Sequence, residues 1–412
     1  MNNLIKITFF VFLLSCGQDI TYENNIKEDL IFLADDKLEG RKTGTEGEKL
    51  AAKYISERFE KLNLSDKGTE NYYQDFYFGN NNNPHQEIEF NKESDNSQIH
   101  ARNVVGFLDN GGSNTVVIGA HYDHLGYGEE SSLYFGDEVL IHNGADDNAS
   151  GTSLLLDLAN RLATKDLKSN YLFIAFSGEE MGLLGSNYFL KNPTVSKNEI
   201  NYMINMDMVG RLNEDNKLSV SGVGSAKIFK QIVNSNNSNF NLVEFGSSST
   251  SSFGSSDHAS FYYEDIPVLS FFTGQHEDYH KPSDDYDKIN FEGMQKILLF
   301  VTNLINNSTE IENFDFVETA TESKDVPKFK VTLGIMPDYM YSGKGLRIDG
   351  VSKGKVADSF GILKGDIVTK IGNVDVLDIM SYMQGLSKYE KGDKAIIEIQ
   401  RGENILIKEV TF

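Results

Sequence analysis

The stretch Tyr171-Leu-Phe-Ile-Ala-Phe176 is a continuous apolar run that leads directly into Ser177-Gly-Glu-Glu180. A strand that is apolar at every position is typical of a parallel sheet covered by helices on both faces. In open α/β folds, ligand sites form at the carboxyl ends of such strands. The stretch therefore predicts an α/β fold with a polar site at one edge of its sheet.

Similar apolar runs alternate with helical patterns on both sides of this stretch. Further strands are predicted at 104–108, 115–120, 201–206, 218–223 and 267–272, and helices at 46–62, 182–190, 226–233 and 289–305. Ser150 is the expected N-cap of another helix, in which Leu154, Leu158 and Leu162 form an apolar stripe. The alternation indicates a mostly parallel, twisted central sheet flanked by helices.

Length and charge limit the classes of function. The 412 residues suggest about two or three domains. The formal charge of −23 argues against nucleic-acid binding, because phosphate backbones require clustered Lys and Arg.

The N-terminus carries a separate signal. Lys6 precedes the apolar segment 7–14, and Cys16, the single cysteine of the sequence, follows. A charged start and a short apolar core describe an export signal that is too short to span a membrane as a helix. The segment resembles a bacterial lipoprotein signal, which implies a lipid on Cys16, a membrane anchor and a place in the cell envelope. An ordinary signal peptide is the alternative.

These features divide the chain into five parts. We expect a signal with the lipidated cysteine at 1–16, a tether at 17–28, a catalytic-type domain at 29–306, a polar linker at 307–327 and a small domain at 328–412.

Five short polar motifs between positions 121 and 280 carry metal-binding residue types. They are His121-Tyr-Asp-His124, Gly144-Ala-Asp-Asp-Asn148, Ser177-Gly-Glu-Glu180, Asn205-Met-Asp207 and Asp278-Tyr-His280. Imidazole ligands disfavour magnesium and calcium, and a mixed nitrogen and oxygen set suits zinc, with cobalt or manganese as substitutes. Three ligating carboxylates and a hydroxide would balance the charge of two divalent ions.

Each motif also has a simpler interpretation. A histidine at a strand end can be a surface residue, Asp146 and Asp147 can complement a helix dipole, and Glu179-Glu180 can be a solvated loop. Asp123 lies two residues after His121, so both side chains share a face if the strand continues. A carboxylate in that place would orient a ligating imidazole. His124 is expected to be structural, His258 to line a substrate pocket, and His276 to be a loop residue.

Together the five motifs resemble peptidase family M28. The resemblance implies that His121 and Asp207 hold one zinc ion, that Glu180 and His280 hold another, and that Asp146 bridges them. It also implies that Glu179 is the general base, Asp123 the partner of His121, and Tyr279 a hydrogen-bond donor to the oxyanion. The expected function is that of a two-zinc aminopeptidase acting on peptides. The segment Leu38-Glu-Gly-Arg41 resembles the entry motif of this family and has no role that the sequence supplies.

Three other functions stay open. The first is a carboxypeptidase or another amidohydrolase on the same site. A carboxypeptidase would need a cation for the terminal carboxylate of its substrate, and Arg211 is a candidate. A glutaminyl cyclase is related but works with one zinc ion. An inert, lipid-anchored peptide-binding protein is the third.

The C-terminal residues resemble a bacterial PDZ domain. The resemblance rests on 333–336, 345–351, the 357–368 segment with its Gly365-Asp366 turn, and 371–376. It implies that a peptide C-terminus pairs by strand addition with the loop from Leu333 to Met336. A docking module that binds no peptide is the alternative.

Overall fold

The computed structural model describes residues 19–79, 89–91, 98–165, 167–245, 256–319, 329–338, 341 and 343–412. The predicted signal and Cys16 lie outside this part of the chain. Among the helices of the described residues, none is both long enough and apolar enough to cross a bilayer.

The first unit is built on a single sheet, to which ten strands contribute within the described residues. They are β1 (Ser65–Asp66), β2 (Tyr73–Gly79), β3 (Phe90–Asn91), β4 (Gln98–Leu108), β5 (Thr115–His121), β6 (Asn170–Phe176), β7 (Ile200–Met206), β8 (Lys217–Ser221), β9 (Asn241–Phe245) and β10 (Val268–Phe272). Their spatial order is β3-β2-β4-β6-β5-β7-β10-β8-β9, and β1 pairs with β4.

The centre of this sheet is parallel and its flanks are mixed. Strands β6, β5, β7 and β10 run parallel, and every residue of β5 and β7 is buried. Strands β2, β3 and β4 pair antiparallel to their neighbours on one side, and on the other side β8 is antiparallel to β10 but parallel to β9. The α/β class is confirmed, but the sheet is mixed rather than mostly parallel. Strands β2, β3 and β4 follow one another too closely in the chain for a helical crossover, which requires about a dozen residues or more, so they pair antiparallel.

Helices cover both faces of the sheet. They are α1 (Asp19–Leu33), α2 (Glu46–Lys61), α3 (Gly151–Ala163), α4 (Leu184–Lys191), α5 (Phe229–Asn236), α6 (His258–Tyr263) and α7 (Phe291–Ser308). The predicted stripe of α3 is buried at Leu154, Leu158 and Leu162. Ser150 does not cap α3, because its hydroxyl donates to the carbonyl of Asp146 at 2.7 Å.

Two predicted boundaries need correction. Residues 19–28, predicted as a tether, form the start of α1, because Ile26, Leu30 and Leu33 make a buried stripe at helical spacing. Beyond α7, Phe314 is buried against Tyr202, with ring centroids 4.6 Å apart, so this part of the predicted linker packs on the first unit. Residues 320–328 lie outside the described residues.

The C-terminal residues form a second, antiparallel sheet with its own apolar core. Its strands are β11 (Ile335–Pro337), β12 (Leu346–Val351), β13 (Ile367–Ile371), β14 (Val374–Asp375), β15 (Lys394–Arg401) and β16 (Asn404–Thr411), with helices α8 (Val356–Ser359) and α9 (Ile379–Leu386). Ile348, Val368, Ile397 and Leu386 are buried within it. A separate β-rich unit is therefore present, and its PDZ character stays a prediction.

Candidate metal centre

The predicted site residues gather at the carboxyl edge of the parallel strands. His121 is the last residue of β5, Glu179 and Glu180 follow β6, Asp207 follows β7, and His280 lies in the loop after β10. They line a cavity of about 350 Å³. Adjacent parallel strands end at the same edge, which is why residues up to 159 positions apart converge here.

One group of donor atoms surrounds the ring of His121. Its Nε2 lies 3.3 Å from Oδ1 of Asp147 and 3.5 Å from Oδ1 of Asp207. Two ligand atoms at about 2.1 Å from a tetrahedral zinc are about 3.4 Å apart. The spacing of these three donors therefore fits one zinc-sized cation.

A second group shares Asp147. Its Oδ2 lies 3.1 Å from Nε2 of His280, which is in turn 3.4 Å from Oε2 of Glu180. His124 also approaches, with Nδ1 2.9 Å from Glu180 Oε1 but 3.9 Å from Asp147 Oδ2. The distances favour His280 as the nitrogen donor. Its Nδ1 bonds to the carbonyl of Ser131 at 2.9 Å, and such a bond orients a ligating ring.

The carboxylate that lies between His121 and His280 is that of Asp147, and not that of Asp146 as predicted. The Asp146 carboxylate faces away from the cavity. Its Oδ1 accepts from the backbone N–H of Gly210 at 2.6 Å, and its Oδ2 lies 3.1 Å from His276 Nε2. His276, predicted as a loop residue, is thus a buried partner of Asp146. The backbone turns sharply at Asp147 (φ −108°, ψ 93°), and the side chain of this second aspartate faces His121 and His280.

Asp284 holds this turn and was missed by sequence reasoning. Its Oδ2 accepts from the N–H groups of Asp146 at 3.0 Å and Asp147 at 3.1 Å. Burial, with the Asp146 carboxylate nearby, raises the pKa of Asp284 to about 6. Asp284 lies four residues after His280 in the same acidic segment, and this closeness in sequence could have indicated that it belongs to the site.

The electrostatics of the two groups suit a cation. Burial opposes protonation of His121, but the carboxylates of Glu179 and Asp207 raise its pKa well above the usual value. Burial likewise opposes ionisation of Glu180, but His280 outweighs it and lowers the pKa of Glu180 to about 2. Carboxylates and imidazoles that share short contacts in one buried cavity are typical of a functional, metal-binding site rather than of a packed core.

Glu179 lies beside these groups without joining either one. Its backbone N–H donates to Oδ1 of Asp123 at 3.2 Å, while the other Asp123 oxygen accepts from Thr43 at 2.9 Å. Burial raises the pKa of the Glu179 carboxyl; His121 opposes the shift and Glu180 adds to it. A carboxyl in this position is suited to proton transfer.

The remaining predicted residues have mixed positions. Asp123 is close to His121, but its Oδ1 is 3.7 Å from Nδ1, beyond hydrogen-bond length. Tyr279 lines the cavity and stacks on His280 with ring centroids 3.9 Å apart. His258 lines the cavity as predicted. Arg211 lies outside the lining and donates to Asp278 at 2.7 Å.

Arg41 supplies a role for the entry motif. Its fully buried guanidinium donates to the carbonyls of Tyr122 at 2.7 Å, Asn143 at 2.7 Å and Gly144 at 3.0 Å, and to that of Leu33. It therefore ties together the segment that follows His121 and the segment that precedes Asp147.

Known proteins are similar to this chain in sequence and in fold. Residues 103–305 match the family model described as Peptidase family M28. Aminopeptidase YwaD of Bacillus subtilis is 32% identical over 186 residues, which cover 43% of this chain and 40% of that protein. A Zn-dependent exopeptidase structure from Parabacteroides distasonis gives a TM-score of 0.55 at 18% identity, over 69% of this chain and 98% of that one. A glutaminyl cyclase structure from Bacteroides thetaiotaomicron also gives 0.55, at 17% identity, over 69% and 97%.

These matches show what the first unit is similar to. Residues 103–305 are similar in sequence to peptidase family M28, and the fold of the first unit is similar to that of the zinc exopeptidase structure. An exopeptidase and a cyclase share the fold, so the fold alone does not select the reaction. The matched segment spans less than half of the Bacillus protein.

Proposed function

We propose that this protein is a metal-dependent aminopeptidase whose site holds two divalent cations, most suitably zinc. The observation that supports this best is the position of Asp147, whose two carboxylate oxygens face His121 at 3.3 Å and His280 at 3.1 Å. One carboxylate placed between two imidazoles is the arrangement that a bridging ligand requires.

Each side of Asp147 offers a complete protein ligand set. His121 and Asp207 would complete one side, and His280 and Glu180 the other. Bound zinc would supply Lewis acidity, which polarises a carbonyl and lowers the pKa of water.

The residues around the ligands fit peptide hydrolysis. Glu179 accepts the proton of the attacking water and delivers it to the nitrogen of the leaving group. Asp123 fixes the backbone of Glu179 and Thr43 fixes Asp123, which limits the freedom of the base. Tyr279 is proposed as the donor to the oxygen that becomes negative.

The charge of the cavity favours a substrate with a free amino group. Among the described residues that line it there is no Lys or Arg, whereas Glu179, Glu180 and Asp207 are present. Bound zinc would offset the charge of the ligating carboxylates, but Glu179 lies outside both ligand sets and complements an α-ammonium group, whereas a terminal carboxylate would find no Lys or Arg among the described residues of this lining. Arg211, the candidate for a carboxypeptidase, is paired with Asp278.

The test combines metal content with activity. We expect purified protein to hold about two zinc ions per chain and to release the N-terminal residue of aminoacyl reporters, with activity lost on chelation. Reporters with a free C-terminus and a blocked N-terminus, and peptides that begin with glutamine, distinguish a carboxypeptidase and a cyclase. Release of C-terminal residues alone, or cyclisation alone, would contradict the proposal.

A single substitution tests the base. Glu179→Gln should lower kcat by about 10²-fold or more while the metal content stays unchanged, because a general base contributes roughly 10²–10⁴-fold. Glu214→Gln, at an exposed loop position, is the matched control. Unchanged turnover in Glu179→Gln would remove that residue from the mechanism.

We also propose export to the cell envelope with a lipid on Cys16, on the strength of the N-terminal sequence alone. Labelled fatty acid should enter the wild type and not Cys16→Ser, and equal labelling would contradict the anchor. PDZ-type binding of a peptide C-terminus by the second unit is a further proposal. It predicts that peptides lose affinity when their C-terminus is amidated.

A further inference from the structure

A second cavity, of about 370 Å³, lies between the two units of the chain. Its apolar lining comes from the first unit at Leu133, Phe135 and Tyr279 and from the second unit at Val351, Ile362 and Leu363. Neither unit alone forms this cavity.

The second cavity adjoins the candidate metal centre. Tyr279 lines both cavities. Gln275 lines the main cavity, and its amide nitrogen, oriented toward acceptors, lies 2.9 Å from the carbonyl of Pro337 and 3.3 Å from Oδ2 of Asp349. The second unit therefore begins where the main cavity ends.

The loop that contains Leu133 and Phe135 contacts both His280 and the second unit. The N–H of Leu133 donates to the carbonyl of His280 at 2.9 Å. The Leu133 side chain packs so closely on Gly350 that a Cβ atom added to this glycine would lie 3.0 Å from Leu133 Cδ1. Lys353 reaches back to the carbonyl of Phe135 at 2.5 Å and to Asp137 at 3.5 Å. These contacts hold the second unit beside the mouth of the site.

The lining exposes apolar surface that a ligand would cover. Phe135 is 47% exposed and Leu363 is 52% exposed, and both face the same cavity. Contiguous exposed apolar surface beside a binding cleft is typical of a ligand subsite. The rim carries both signs of charge, with Lys281 and Glu277 on one side and Lys364 and Asp358 on the other, so it does not select a strongly charged ligand.

We propose that this second cavity binds apolar side chains of a peptide substrate beyond the scissile bond, so that the C-terminal unit extends the peptidase site. This inference rests on the proposed aminopeptidase function. A peptide whose first residue occupies the main cavity continues past Tyr279, and three extended residues span about 10 Å. The protein should therefore prefer peptides of four or more residues with an apolar residue at position three or four over dipeptides and small reporters.

The test compares kcat/KM for a leucyl reporter, for Leu-Gly-Gly-Gly-Gly and for Leu-Gly-Phe-Leu-Gly with the full-length protein. The wild type should cleave the apolar pentapeptide about tenfold or more faster than the glycine pentapeptide, in keeping with the burial of one or two apolar side chains. Leu363→Glu should abolish that preference and leave the small reporter unchanged. Leu377→Glu, at a position 50% exposed in the same unit but outside the cavity, is the matched control.

A variant in the other unit distinguishes loss of peptide binding from local misfolding of the C-terminal unit. Phe135→Ser alters the opposite wall, and it should remove the same preference if both walls bind one peptide. Equal cleavage of the two pentapeptides by the wild type, or an equal effect of Leu363→Glu and Leu377→Glu, would overturn the inference while leaving the aminopeptidase proposal in place. Failure of the wild type to cleave the small reporter as well as both peptides would contradict the aminopeptidase proposal itself.

Discussion

Replacing Arg41 tests whether a remote side chain holds the candidate metal centre together. The guanidinium donates to four backbone carbonyls and is fully buried. Burial lowers the pKa of Arg41 to about 10, with Asp123 and Asp147 among the carboxylates that oppose the shift. It therefore stays charged at neutral pH. Arg41→Met keeps most of the side-chain length and removes every donor.

The expected loss follows from the carbonyls left behind. A buried polar group without a partner costs about 1–3 kcal/mol, and partial relaxation or entry of water recovers some of the total. We expect Arg41→Met to lower the free energy of unfolding by about 3–5 kcal/mol, the usual range for breaking a buried charged network. Arg41→Lys should lose about half as much, because one ammonium cannot reproduce the planar fork of donors.

Urea denaturation followed by circular dichroism measures the free energy of unfolding of each variant. Because the bonded carbonyls adjoin His121 and Asp147, both variants should also bind zinc more weakly, and this is measured as zinc affinity. Arg347→Met is the control: this half-exposed residue pairs with Asp338 in the second unit, and such surface pairs contribute about 0–1 kcal/mol. If the free energy of unfolding of Arg41→Met is within about 1 kcal/mol of the wild type and zinc affinity is unchanged, Arg41 does not hold the segments beside His121 and Asp147 in place.

Other predictions concern pH and the independence of the two units. Burial raises the pKa of Glu48 from 4.5 to about 8. The folded state then binds this proton more tightly than the unfolded state, so the stabilisation is complete below pH 4.5 and is lost as the pH rises towards 8. Glu48→Gln should flatten this decline, which reaches up to about 1.4 kcal/mol per pH unit, and an unchanged slope in thermal melts would contradict the assignment. Arg401 forms two bonds to the buried carboxylate of Asp366, at 2.6 and 2.7 Å. Because the Arg401 side chain is 39% exposed, water screens this pair in part, and Arg401→Met should destabilise the second unit by about 1–3 kcal/mol and leave hydrolysis of a small reporter unchanged. Loss of reporter activity would show that the first unit depends on the second.

The central strands could be read from the sequence because their burial leaves a local signal. The run 171–176 is apolar throughout, and the structure places it as β6 with the predicted limits at its carboxyl end. The directions of the outer strands did not follow from the sequence, because strand direction depends on pairing partners that no local pattern specifies. Residues 19–28 were predicted as a tether but form the start of a helix, although the spacing of Ile26, Leu30 and Leu33 already indicated a helical apolar stripe.

The site shows the same division between local and long-range information. His121, Glu180, Asp207 and His280 follow apolar strands or lie in a recognisable motif, and the structure brings all four together. The choice between Asp146 and Asp147 depends on one backbone turn, which composition and spacing cannot resolve. The partners of Arg41 lie up to 103 positions away, so its role became visible only with the fold.

The zinc content of two variants at neighbouring positions tests most directly whether Asp147 lies between two bound cations. By elemental analysis after dialysis, the wild type and Asp146→Asn should each hold about two zinc ions per chain, since an asparagine oxygen can still accept from Gly210. Asp147→Asn should lose at least one of the two, because it removes the carboxylate that both histidines face. Two tightly held ions in Asp147→Asn, or their loss in Asp146→Asn alone, would contradict the paired site.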